Sequence, residues 1–290
     1  MRYRVTHTTT YAYEEAVSVS HNEARITPRR TASQSPQRTQ LVVDPMPSAL
    51  ISDVDYFGNT MHFFSLEESH QRLTVTAVSD VDVDAMPTPA PGLTPAWESV
   101  PEMIRRDRSR PGIEAVGYVF ASPLVQFDQD VQAYAAESFM PGRPVLEAAY
   151  ELTRRIHADF TYEPGATSIS TPLSAVMRNR HGVCQDFAHL EIAMLRSFGL
   201  PARYVSGYLR TRPAPGRPRL TGADASHAWL SLYCPGFGYL DLDPTNGTIP
   251  SDEHVTVAWG RDFGDVSPLK GVILGGGAHD LTVSVDVAAA

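Results

Sequence analysis

The apolar residues of this chain change period part-way along it. Through the first 85 residues they recur at every second position. Val17 and Val19 alternate with Ala16, Ser18 and Ser20, and Leu73, Val75 and Ala77 alternate with Thr74, Thr76 and Val78 before Val81 and Val83 continue the pattern. A period of two sends successive side chains to opposite faces of a strand. Residues 39–43 read as a short strand ending at Asp44-Pro45, and residues 53–66 as a hairpin turning at Gly58-Asn59. Short strands with turn signals and no helical window predict a small antiparallel β-sandwich domain over residues 1–85.

Six prolines then fall between Met86 and Gly112: Pro87, Pro89, Pro91, Pro95, Pro101 and Pro111. Residues 86–115 therefore read as a stiff, extended linker poor in regular structure. The run Arg105-Arg106-Asp107-Arg108-Ser109-Arg110 inside it reads as a solvated face, with a partner-docking patch as the other option. From residue 116 the period becomes helical. Candidate helices cover 126–139, 144–160, a short stretch opened by Thr171-Pro172, and 184–198, where Gly199 and Pro201 follow in the order expected at a helix C-terminus. Strands return at 202–209, 225–234, 239–243, 255–259 and 281–287. The expected class is α+β, with helices packed on an antiparallel sheet in a second domain spanning 116–290.

With 290 residues the chain can bury two modest cores. Its 24 Lys+Arg against 33 Asp+Glu give a formal charge of -9, a poor basis for holding nucleic-acid phosphates. No stretch approaches the ~20 apolar residues of a membrane span, and residues 1–7 hold no apolar signal core. The expectation is a cytoplasmic protein with reduced thiols and neither a membrane nor a nucleic-acid partner. The two cysteines, Cys184 and Cys234, exclude a disulfide framework and a four-thiolate zinc site.

Cys184 falls at the start of the 184–198 helix. Unpaired N–H groups and the positive dipole end suit a thiolate nucleophile and an oxyanion there. A free cysteine is equally at home as a small buried core residue, and position alone leaves both readings standing. A thiol nucleophile needs a base, and the base needs an orienting group. His227, in Ala-Ser-His-Ala-Trp-Leu, lies on a predicted strand with Trp229 at the same parity. Asp243 follows 16 residues later, past the turn-like Cys-Pro-Gly-Phe-Gly. A hairpin would set Asp243 beside His227, since cross-strand side chains lie ~5 Å apart. Asp241 shares its parity and competes for the role, but Asp243 ends the strand. His181, Cys184, Asp186 and His189 also invite a metal reading, although residues 184 and 189 lie about 140° apart around a helix and share a face poorly.

The order Cys184, His227 in His-Ala-Trp, Asp243 in Asp-Pro-Thr-Asn resembles the transglutaminase-like superfamily. Gly-Val-Cys-Gln-Asp-Phe-Ala-His at 182–189, Gly-Leu-Pro-Ala-Arg-Tyr-Val-Ser-Gly-Tyr at 199–208 and Trp-Gly-Arg-Asp-Phe-Gly-Asp-Val-Ser-Pro at 259–268 are similar to its bacterial members. Tyr-Arg-Val-Thr-His-Thr-Thr-Thr-Tyr at 3–11 resembles the β domain that precedes their core. The resemblance implies a papain-like core with a Cys184–His227–Asp243 triad, no cofactor, and a peptide or protein substrate. The thiolate would attack a carboxamide or peptide carbonyl, and the thioester would pass to an amine or to water. Gln185, Trp229 and Tyr208 are candidates to line the site, with a core role for the two aromatics equally open. Cys234 reads as a free structural thiol. Two other functions compete: a non-catalytic protein-interaction module that keeps the fold, and a metal-binding protein using the 181–189 cluster.

Overall fold

The computed structural model describes residues 1–211 and 225–290. The chain begins with five strands: β1 (Arg2–Ala24), β2 (Gln34–Asp44), β3 (Ala49–Val54), β4 (Thr60–Leu66) and β5 (His70–Val83). Helices follow as α1 (Val100–Arg106), α2 (Arg110–Val116), α3 (Gln129–Ala136) and α4 (Val145–Asp159). After β6 (Thr161–Tyr162), α5 (Leu173–Asn179) and β7 (His181–Gly182) comes the central helix α6 (Cys184–Ser197). The chain closes with β8 (Ala202–Leu209), β9 (Ala225–Cys234), β10 (Gly238–Leu242), β11 (His254–Gly260), α7 (Phe263–Val266), β12 (Leu269–Gly275) and β13 (His279–Ala289). The class is α+β, as the pattern predicted.

β1 is long enough to be shared among partners. Its first half runs between β5 and β13, and its second half between β4 and β12. The register to β5 slips between Ala12 and Val17, and such irregularities bend a sheet. The seven-stranded sheet, ordered β2-β5-β1-β4-β3 with β12 and β13 also on β1, curls over a small core that includes Val17, Ile26, Phe64, Leu66, Leu73 and Val75. The hairpin expected at 53–66 is present, with Gly58 at φ 74° in its turn.

Two expected boundaries are corrected. The linker expected at 86–115 contains α1 and α2. Pro101 and Pro111 sit in the first turns of these helices, where a missing N–H costs nothing, and Ser109 caps α2 through the N–H of Gly112. The region 116–290 is not one separate unit either. β12 and β13 return to the first sheet because β1 offers them an antiparallel edge, and an unpaired edge is costly to leave open.

The second sheet is ordered β10-β9-β8-β11. α6 packs on it and carries Phe187, Leu190, Ile192, Met194 and Leu195, all buried, each worth about 1.5–3 kcal/mol on leaving water. α4 buries Val145, Leu146, Ala149, Leu152 and Ile156 at the predicted helical spacing. α6 stops at Gly199, φ 73°, with Gly199 N–H bonded to Arg196 O and Leu200 N–H to Leu195 O, a Schellman ending that glycine reaches without strain. The buried Arg196 guanidinium donates to the carbonyls of Ala202, Phe120 and Arg261 and ties the helix end to the sheet. None of the described helices is long and apolar enough to cross a membrane.

Candidate active site

Cys184 is the first residue of α6 and is half-buried. The helix start is locked by Asp186, whose Oδ2 accepts from Val183 N–H at 2.8 Å and Thr167 Oγ1 at 2.5 Å. A Cβ on Gly182 would lie 2.8 Å from that same oxygen, so the glycine is what lets the chain approach its cap. Gln185 lies half-buried beside the thiol.

His227 projects from β9 and is buried. The β9–β10 register pairs Leu242 with Leu230, and Asp243 leaves the ladder one residue later. There its Oδ2 sits 2.8 Å from His227 Nε2. With Nε2 engaged by Asp243, Nδ1 is the nitrogen left for Cys184, which lies near enough to favour the protonated imidazole. Burial alone would make His227 harder to protonate. The Asp243 hydrogen bond and the neighbouring Cys184 outweigh it and push the imidazole up to about 10. The structure thus brings together the three residues that sequence order singled out.

Asp243 is surrounded by donors. Oδ2 also receives Asn246 Nδ2 at 2.7 Å and His254 Nε2 at 3.1 Å, and Oδ1 receives the N–H groups of Thr245 and Asn246 at 3.0 and 3.2 Å. Burial pushes this carboxyl up, but the hydrogen bonds from His227 and His254 prevail and hold it well below the usual carboxylate range. Asp241, the competitor by parity, instead accepts from Trp229 Nε1 at 3.1 Å and from the Ser231 hydroxyl. It orders the sheet and leaves the imidazole to Asp243.

The lining expectations need correction. Trp229 is fully buried and stacks behind His227, with centroids 6.0 Å apart and planes at 28°. It supports the imidazole without walling an open groove. Gly207 makes room for it, since a Cβ there would lie 2.5 Å from the indole and 2.1 Å from Val255 O. Tyr208 is buried against the first sheet, its hydroxyl 2.8 Å from His7 Nδ1 and 3.2 Å from Ile26 O. Its place on β8 aims it into the core between the two sheets.

The metal reading of residues 181–189 also fails, because three of its four side chains are engaged elsewhere. Asp186 caps α6, His181 Nδ1 lies 3.5 Å from Glu163, and His189 Nε2 accepts the Phe263 N–H at 3.1 Å. Burial holds His189 down to about 4, in its neutral form. Among the described residues the one group of three such side chains drawn together is His227, Asp243 and His254, with ligand atoms within 4.8 Å of one another. In this group the two imidazoles hydrogen-bond to one carboxylate oxygen.

Sequence reasoning missed three residues. Asn246 carried a signal, since a side chain three residues after Asp243 in a turn closes readily on it. Glu191, fully buried on α6 with Oε1 on Thr153 Oγ1 at 2.7 Å, was visible as a lone acid in an apolar run. His254 had none, because β11 reaches Asp243 only through β8.

Comparison with known proteins places the family and the fold. Residues 3–82 match the bacterial transglutaminase-like N-terminal region, and residues 132–244 match the transglutaminase-like superfamily core. An uncharacterized protein of Mycobacterium tuberculosis is 42% identical over 99% of this chain and 92% of its own length. A protein-glutamine gamma-glutamyltransferase of Pseudomonas aeruginosa is 29% identical over 130 residues, 38% of this chain and 20% of its own. A crystal structure of a candidate cysteine protease from Cytophaga hutchinsonii shares the fold with a TM-score of 0.75 at 22% identity, covering 99% of this chain and 90% of that one.

Proposed function

The chain belongs to the transglutaminase-like superfamily, and from that premise we propose that it is a thiol enzyme acting on amide bonds of peptides or proteins. The observation that carries the reading is the placement of His227 between Cys184 and Asp243. A non-catalytic module has no need of this contact.

The Cys184 proton is held on His227 at Nδ1, in the imidazolium form that the raised imidazole favours. The sulfur attacks the amide carbon, and the carbonyl oxygen becomes an oxyanion facing the first-turn N–H groups of α6. The imidazolium then gives its proton to the departing nitrogen, the C–N bond breaks, and ammonia or an amine leaves a thioester on Cys184. A water or primary amine gives its proton to His227 and attacks the thioester, and the thiolate leaves beside the imidazolium. Asp243 keeps the imidazole in one tautomer and balances its charge throughout. Donation from Asn246 and His254 keeps that carboxylate ionised and in place.

The test is to trap the acyl-enzyme. A glutamine-containing peptide is incubated with the protein, with and without a primary amine, and intact mass and peptide mapping are read after acid quench. The expected result is an acyl adduct on Cys184, absent in Cys184→Ala. A transamidated product formed on adding the amine assigns transglutaminase activity, and a free acid in both arms assigns hydrolysis. A product that forms as fast with Cys184→Ala overturns the reading.

A further inference from the structure

A cavity of about 570 Å³ opens on the second sheet; His254 forms part of its wall, but none of Cys184, His227 and Asp243 lines it. Its wall includes Arg203 and Thr256 on the sheet, Tyr239, Trp259 and Phe237 around them, and Pro87 from the segment after β5. The volume falls within the range that holds small organic ligands.

Arg203 is only 9% exposed. Its guanidinium lies between two aromatic faces, 3.6 Å from the centroids of both Tyr239 and Trp259. Arg29 packs on Trp259 as well, at 3.1 Å, and adds a second cation to the stack. Among the described residues nothing accepts from Arg203 Nε, which is buried. Among the described residues no carboxylate pairs with the guanidinium. Two acids reach the cavity wall, but Asp241 is occupied by Trp229 and Ser231, and Asp84 is exposed. Arg25 of this same protein shows the ordinary arrangement, with Nε 2.9 Å from Asp55 Oδ2. A guanidinium held flat by stacked rings keeps its edge donors for a planar anion, and a buried charge left unpaired is costly.

We propose that this cavity binds an organic carboxylate, its anionic end on the edge of Arg203 and its apolar body against Phe237, Pro87 and Trp259. The stacked rings fix the guanidinium plane before the ligand arrives, so little ordering remains on binding. The ligand class is a carboxylic acid with a small apolar body, whether a free acid or a peptide C-terminus.

Calorimetric titration of the full chain with 3-phenylpropionate and with 3-phenylpropionamide tests this. The acid is expected to bind saturably, at least tenfold tighter than the amide. Arg203→Gln is expected to bring the acid down to the amide's affinity, and Thr256→Leu, which fills the cavity, to weaken the acid at least tenfold. If Arg203→Gln does not fold, the acid–amide contrast and Thr256→Leu decide. An N-acetylated dipeptide acid ending in phenylalanine separates the sources: tighter binding than 3-phenylpropionate assigns peptide ends, and weaker binding assigns free acids. Cys184→Ala is expected to leave binding unchanged, which separates this site from the amide chemistry. Equal affinity for acid and amide, no binding of either, or full binding by Thr256→Leu overturns the proposal.

Discussion

Asp243 Oδ2 and His227 Nε2 lie 2.8 Å apart, just beyond the last paired residues of the β9–β10 hairpin. Both partners are buried, so the interaction escapes most of the screening that weakens exposed ion pairs. Removing its charge while keeping its shape tests what it contributes. Asp243→Asn is expected to lower kcat/KM for amide turnover by roughly 10²–10⁴, read from initial rates.

The same pair sets a stability window. His227 is raised from 6.5 to about 10, so its share is fully present below pH 6.5 and is lost as pH rises to 10. Asp243 is lowered from 3.8, so its share is present above that value and is lost as pH falls below it. The stability difference between the native chain and Asp243→Asn is expected to peak between pH 4 and 6.5 and to decline on both sides. Urea unfolding across pH measures it.

His254 Nε2 lies 3.1 Å from the same Asp243 oxygen that engages His227. Losing one hydrogen bond to a charged group costs about 1.5–3 kcal/mol. His254→Ala is expected to lower kcat about tenfold with KM unchanged and to shift the alkaline limb of the rate profile. An unchanged profile would reduce His254 to packing.

Glu191 titrates the other way. Burial outweighs its Thr153 hydrogen bond and raises it from 4.5 to about 8. The unfolded chain loses this proton near pH 4.5 while the folded chain keeps it, so folding weakens as pH rises from 4.5 to 8 and then levels off. Glu191→Gln is expected to remove that slope and to be a few kcal/mol more stable than the native chain at pH 9.

The two thiols differ in access. Cys234 is fully buried, and burial pushes it up to about 11, whereas Cys184 is half-buried at a helix start. Iodoacetamide is expected to modify Cys184 first, by at least ~10-fold at pH 8, as peptide mapping would show. Equal rates would remove the kinetic distinction between them.

Much of the fold was legible because it is written in local periodicity. The bounds of β8 and β9 and the glycine-proline stop of α6 follow from alternation and capping, which neighbouring residues settle among themselves. Cys184, His227 and Asp243 were legible for another reason: two lie on one hairpin of short span, and the third sits at a helix start with a recognisable surrounding motif. Pro101 and Pro111 misled because proline disrupts a helix interior yet suits its first turn, and composition alone does not say where a turn begins.

By itself, then, the sequence determined the α+β class and most of the longer elements of the second half, and it singled out Cys184, His227 and Asp243 as candidates. The tertiary structure decided what depends on contacts between distant segments. It returned β12 and β13 to β1, set His254 on Asp243, turned Tyr208 toward His7 and set Arg203 against two aromatic rings. The physical reason is that a side chain's parity on a strand is local, while the group that meets it comes from whichever segment packing brings to that face.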